Sequence, residues 1–455
     1  MEKSYLLKKM GCGRTGETRT KHPTLPLILR SYQKSFISQK EISMIQRKPL
    51  FLSMSIAILL ILSMILSACG GAAAPTTAPS TQAASQGLSG KPIIIGGALS
   101  LTGIQAPLDE PGVRGAEVAE KYLNDHGGIL GRPVKFINLD GKSDPVTVGN
   151  VTVQLIQQGA VAIVAPCDFD FGGPASREAQ KAGLVGISTC ASSPRYGSKA
   201  LGDLQFTLSM WNTTMGAAAA QYAFNEKGWK TVYVVTDTFI DYTTSLSQYF
   251  IEDFKKLGGN VLFEDTYTQG DQDFSAQLAR IKALPQLPDF LYISSYNPDL
   301  TTIIRTIREA GIKTPIMGGD SYDDPALFEG VGPDYGNDIY FVTHSWMGPE
   351  AGQKIADFLT LYNAMFNKPP DTSFVATGYD TLMVLAQAME AAKSTDGAAM
   401  AKVMESKQFD LLTGKLTWSS AADGHEPNIE TVLVQVQGGK PSFIEWLAPT
   451  DVPKP

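Results

Sequence analysis

From Lys91 onward, short β-rich runs alternate with amphipathic stretches of helical period, and after residue 208 the alternation starts a second time. Residues 92–98, 134–140, 160–165 and 184–188 read as strands, with helices expected at 112–125, 145–157 and 173–181. Strands separated by helices pair in parallel, because the crossover connection needs a helix's length, so the first half is a parallel sheet with helices on both faces. Segment 204–208 is expected to cross into a second half with helices at 214–225, 244–257, 274–283 and 300–310. Its strands are expected at 231–236, 261–267, 290–294 and 314–317. The apolar strand 339–342 and the helices 352–366 and 375–392 are expected to return to the first half, and 430–436 with 442–446 reads as a closing hairpin. The class is therefore α/β with two lobes. Several crossings between lobes make a hinged cleft, with a ligand site at the carboxyl ends of the strands.

Ahead of this pattern, Gln46, Arg47 and Lys48 precede the apolar run PLFLSMSIAILLILSMILSAC. A run of about 20 residues is also long enough to span a bilayer. Its end, Leu66-Ser67-Ala68-Cys69-Gly70, matches the bacterial lipobox, so 44–68 reads as a lipoprotein signal peptide and Cys69 as the lipidated mature N-terminus. Residues 1–43 precede a plausible start at Met44 and are set aside, and 69–90, rich in Ala, Ser, Thr, Pro and Gly, is a flexible tether. The expected location is extracytoplasmic, in the periplasm or at the cell surface, held to the membrane by a multi-chain lipid anchor.

Of 38 lysines and arginines, 11 lie before Cys69, as do 3 of the 45 acidic residues, which leaves the remainder at 27 against 42, a net charge of −15. Such a charge repels phosphate backbones, and nucleic acid is not an expected partner. The 365 residues from Lys91 exceed what one core usually serves. Outside the leader and the lipid site, Cys167 and Cys190 remain, an even count that suggests a disulfide in an oxidising compartment, with two free thiols as the alternative. His22, His126, His344 and His425 are widely separated and lack partners at metal-ligand spacing, so no metal is expected. Neither G-x-S-x-G nor G-x-x-x-x-G-K-[ST] occurs, so hydrolase and nucleotidase chemistry lack their usual parts, and neither catalysis nor a cofactor is expected.

The segments IIIGGALSLTGIQA and VRGAEVAEKYLNDHGGILGRPVKFINLDGKSDP resemble the opening of type I periplasmic binding proteins of the leucine/isoleucine/valine-binding class. VAIVAPCDFDFGGPAS, GISTCASSP, VVTDTFIDYTTSL, LYISSYNPDLTTIIRTIREAGIKTPIMGGDSYDDPAL, GYDTLMVLAQAMEAA and GKLTW follow in the family's order, over nearly all of 91–446. The resemblance implies the two-lobed fold of that family, with 91–211 and 342–428 in one lobe and 212–341 and 429–455 in the other. It also implies the solute-binding subunit of an ABC importer, which takes an amino acid of branched-chain or related type and delivers it to permease and ATPase subunits. A short amide or urea-like ligand, an aromatic acid, or a ligand-sensing receptor domain are the alternatives.

Carried over by position, the resemblance puts the ligand carboxylate on the loop 167–173 and on Ser192. In that loop Asp168, Phe169 and Asp170 stand where the family usually has Ser or Thr. Two acids beside an anion are costly, so they either cap or face solvent, or the ligand differs. Tyr242 and Tyr296 match the family's two ligand-covering tyrosines, against the plainer reading of core aromatics. Asp320 falls where the family has the carboxylate that accepts the ligand ammonium, with a turn or capping aspartate as the alternative. Leu108 and Tyr322 are expected near the pocket, and Trp211 is expected to pack at a crossing.

Overall fold

Isoleucine-rich β1 (Ile93–Gly97), buried along nearly its whole length, starts a five-stranded parallel sheet. The chain continues through α1 (Ala106–Asp125), β2 (Val134–Asn138), α2 (Pro145–Gln157), β3 (Ala160–Ala165), α3 (Phe169–Lys181), β4 (Val185–Ser188), the short α4 (Ser198–Leu201) and β5 (Gln205–Thr207). The computed structural model describes residues 88–455 apart from Gln272, so the signal-peptide and lipid-site expectations, Cys69 included, lie outside the described residues. Strand order is β2-β1-β3-β4-β5.

The second half repeats the plan with α5 (Asn212–Gln221), β6 (Thr231–Asp237), α6 (Asp241–Lys256), β7 (Asn260–Tyr267), α7 (Ser275–Ala283), β8 (Phe290–Ser294), α8 (Asp299–Glu309), β9 (Ile316–Gly318), α9 (Pro325–Tyr335) and β10 (Ile339–Thr343). Here β7-β6-β8-β9-β10 reproduces the order of the first sheet, every pair parallel. In both sheets the order reverses beside the first strand, which leaves a crevice at its carboxyl end.

After β10 come α10 (Gln353–Phe366), α11 (Phe374–Ala392), α12 (Gly397–Ser406), β11 (Phe409–Leu411), β12 (Gly414–Trp418), β13 (Pro427–Asn428), β14 (Thr431–Gln437) and β15 (Lys440–Leu447). The closing hairpin β14-β15 is antiparallel and attaches to the second sheet through β10. Helix α11 lies against α1. A Cβ on Gly115 would fall 1.9 Å from the Val375 carbonyl oxygen, and one on Gly378 1.9 Å from that of Gly112, so the two helices touch backbone to backbone. The small sheet β11-β12-β13 is tied to the first sheet's edge, where Trp418 Nε1 donates to the Thr207 carbonyl at 2.8 Å and the His425 ring stacks on Phe206.

Three expectations are corrected. Strand 339–342 does not return to the first half: β10 pairs with β9 and β14 in the seven-stranded second sheet, because its apolar faces, all buried, complete that core. Helix α3 begins at Phe169, four residues before the expected 173, since Gly172, Gly173 and Pro174 are accommodated inside the helix rather than before it. Helix α1 likewise begins at Ala106, six residues before the expected 112, with Pro107 in its first turn, where the missing N–H costs nothing.

Because α1 and α11 meet at glycine, Gly115→Ala is expected to force them apart. The expected loss is about 1–3 kcal/mol of unfolding free energy, the usual range for overpacking, read from urea denaturation midpoints. An unchanged midpoint would show that the helices separate freely.

Candidate functional site

The carboxyl ends of both sheets point their loops at one small cavity with about 10 Å³ of free space. From the first lobe, Leu108 of α1, the Cys167–Cys190 pair and Asp168 form its wall, and Phe374 at the start of α11 closes one side. From the second lobe come Tyr242 after β6, Tyr296 after β8, and Asp320 with Ser321 after β9. Topology dictates the polar part of this set, which follows β3 and β4 on one side and β6, β8 and β9 on the other, around the two switch points.

Asp168 is buried, sits at the N-cap of α3 and has φ of 65° with ψ of 144°, backbone space that residues other than glycine rarely adopt. Its Oδ2 accepts two hydrogen bonds, from the Tyr296 hydroxyl at 2.5 Å and from Gln105 Nε2 at 2.8 Å. The first of these joins the two lobes. Burial pushes the Asp168 carboxyl up to about 7; the two donors pull it back, and the negative charges of Asp320 and Asp170 add to the rise. Behind it, Asp109 of α1 is wholly buried and accepts the backbone N–H groups of Ser100 at 2.8 Å and Cys167 at 2.9 Å. Burial raises Asp109 to about 8.

Asp320 is also buried, and its Oδ2 lies 2.8 Å from His344 Nε2. The ring of Tyr242 lies 5.3 Å from that of Tyr296, and the Tyr242 hydroxyl donates to Ser321 Oγ at 3.2 Å. Burial first, then the Asp320 charge, holds the Tyr242 phenol well above its ordinary value, so both tyrosines act as neutral donors.

The remaining candidates take other places. Asp170, in the first turn of α3, accepts the Asp241 backbone N–H at 2.9 Å and so meets the N-terminus of α6 across the lobes. Ser193 and Arg195 reach the same Asp241 carboxylate from the first lobe. Phe169 is buried edge-on to Tyr196, with the Arg195 guanidinium 4.1 Å from its ring centre, away from the cavity wall. Ser192 is buried, and among the described residues its Oγ has no partner. Cys167 and Cys190 are bonded, with Cα atoms 4.7 Å apart. Trp211 is buried at the first crossing and donates to the Tyr196 carbonyl at 3.3 Å. Tyr322 donates to the Ile293 carbonyl inside the second lobe's core rather than lining the cavity.

Sequence reading passed over five residues of this site: Gln105, Asp109, Ser321, His344 and Phe374. His344 follows β10 immediately, and Gln105 and Asp109 lie in the stretch after β1, so the rule that ligand groups follow strand ends would have found those three once the sheet order was known. Phe374 opens a helix distant in sequence and carries no such signal.

A family model described as periplasmic binding protein matches residues 92–440. The Leu/Ile/Val-binding protein of Escherichia coli K12 is 26% identical over 324 residues, 71% of this chain and 86% of that one. Among solved structures, LivJ, a branched-chain amino acid transporter substrate-binding protein from Streptococcus pneumoniae in complex with isoleucine, superposes with a TM-score of 0.72 at 26% identity. That match covers 79% of this chain and all of the other. A solute-binding protein of an ABC transporter from R. palustris in complex with benzoate superposes with a TM-score of 0.68 at 23% identity, over 79% of this chain and 97% of that one, a likeness of fold.

The raised Asp168 carboxyl makes a pH signature. In the unfolded chain it ionises near its ordinary 3.8, in the fold only near 7, so its contribution to stability is full below about pH 4 and is lost as pH rises to 7. Asp168→Asn removes this dependence. Unfolding free energy of the variant relative to the parent is expected to rise by at least ~1.4 kcal/mol between pH 4 and 7, the equivalent of one pKa unit. A flat difference across that window would place Asp168 in water.

Proposed function

The chain belongs to the periplasmic binding protein family, and from that premise we propose that it is the extracytoplasmic solute-binding subunit of an ABC importer. It holds a small amino-acid-like molecule between its lobes and hands it to permease and ATPase subunits. The observation that carries this reading is Asp320, a buried carboxylate on the second lobe that faces the interlobe cavity together with two neutral tyrosine hydroxyl-bearing rings. His344 Nε2 already meets Asp320 Oδ2 at 2.8 Å, and an ammonium group brought by the ligand adds a charge-assisted donor to the same buried carboxylate from the cavity side. Asp168, Ser192, Tyr242 and Tyr296 complete the proposed contact set, and Phe169 and Asp170 support it from α3. We place the lobe boundaries at the crossings near 211, 344 and 429, in keeping with sheet membership. An aromatic acid remains the second reading, favoured by the benzoate complex of a protein with this fold.

Lipid anchoring at Cys69 completes the proposal, since the tether 69–90 separates anchor from cleft. Cys69→Ala is expected to abolish incorporation of labelled lipid while ligand affinity stays unchanged; labelling that persists would remove the anchor assignment.

Asp320→Asn keeps shape and one acceptor but removes the charge facing the ammonium. Binding of an amine-bearing ligand is expected to weaken by about 1.5 kcal/mol or more in calorimetry. Ser192→Ala is expected to cost less. If Asp320→Asn binds as tightly as the parent, the ammonium anchor is wrong and an aromatic acid becomes the leading candidate.

A further inference from the structure

The cavity has acidic groups at both ends. Asp320 stands on the second-lobe side and Asp168 on the first, and no lysine or arginine lines the space between them. Both hydrogen bonds to Asp168 fall on Oδ2, which leaves Oδ1 without a partner among the described residues. The amide that steadies it, on Gln105, is 1% exposed, and its Oε1 is likewise unpartnered among the described residues, as is Ser192 Oγ. Buried acceptors left in this state gain most from a ligand that brings N–H or O–H groups.

The donors that an anion would need on the first-lobe side are largely committed. The Cys167 N–H goes to Asp109 at 2.9 Å, and the Ala191 and Cys190 N–H groups go to Ser188 Oγ at 3.0 and 3.4 Å. The positive end of α3 already carries two carboxylates, Asp168 at its cap and Asp170 in its first turn. A ligand carboxylate placed there would meet like charge in a buried setting, at a cost that a neutral amide or a second cation avoids.

We propose that the ligand is a small cation that presents hydrogen-bond donors at both ends, an ammonium to Asp320 and an amide or second amine to Asp168, and carries no carboxylate. This rests on the Asp320 reading above and sharpens it: Asp168 becomes the residue that sets specificity against ordinary amino acids.

The test titrates the purified protein with leucine, leucinamide, 1,4-diaminobutane and benzoate, using thermal shift and calorimetry. Leucinamide or diaminobutane is expected to bind at least tenfold more tightly than leucine. Asp168→Ser, which replaces the carboxylate by a hydroxyl, is expected to reverse that preference, and Asp168→Asn, which keeps the shape of the side chain, to abolish it. Leucine binding as tightly as either amide or diamine overturns the proposal while leaving the ammonium anchor intact. Benzoate as the sole binder, or no binding by any of the four, overturns both.

Discussion

A phenol proton donated by Tyr296 to the buried Asp168 carboxylate, oxygen to oxygen at 2.5 Å, ties the two lobes together where their sheets end. Each partner is costly to bury alone: a carboxylate without donors loses its hydration, and a tyrosine hydroxyl without an acceptor does the same on a smaller scale. Together they offset each other, and that mutual need holds the lobes in register. The outer seam repeats the device, with the Asp170 carboxylate on the first-turn N–H of Asp241 and with Ser193 and Arg195 on the Asp241 side chain. A cleft whose edges are held by hydrogen bonds can reopen, because water replaces such bonds at little net cost.

The site also depends on duplication of the sheet plan. In both sheets the first strand lies one in from an edge, with the second strand outside it and the rest following in order on its other side, so each creates a crevice at its own switch point, and the crossings set the two crevices face to face. Every polar residue of the cavity follows a strand end or opens the next helix. Rigid parallel strands therefore fix the positions of Asp168, Tyr242, Tyr296 and Asp320, while the loops supply only their chemistry. Supporting residues such as Asp109, which accepts the Ser100 and Cys167 N–H groups, brace the first-lobe wall from behind.

Two features bind the halves of the first lobe across long stretches of sequence. The α1–α11 contact relies on glycines that admit backbone approach, and Trp418 anchors the small sheet to the end of β5. These contacts bring residues 374–428 back to a lobe that began near residue 91, which is how Phe374 reaches the cavity wall. The apolar side of the cavity wall thus depends on a chain segment that local pattern alone would not join to it.

The sequence by itself determined the class of the fold and most of the groups at the site. Its strand and helix periods are local properties, set by side-chain burial every second or every third to fourth residue, and they carried the parallel alternation, its restart after residue 208 and the terminal hairpin, whereas Tyr242, Tyr296 and Asp320 were picked out by the resemblance of their motifs to the binding-protein family. Tertiary structure alone decided which sheet takes an apolar strand such as β10, since residues 339–343 suit either core and only the neighbours β9 and β14 choose. It also decided where α1 and α3 begin, because glycine and proline read locally as breaks are tolerated once packing stabilises the helix around them. The pairing of His344 with Asp320 and of Gln105 with Asp168 was decided there too. Those partners lie 24 and 63 residues apart, and an electrostatic contact between strand-end loops has no periodic trace in the chain.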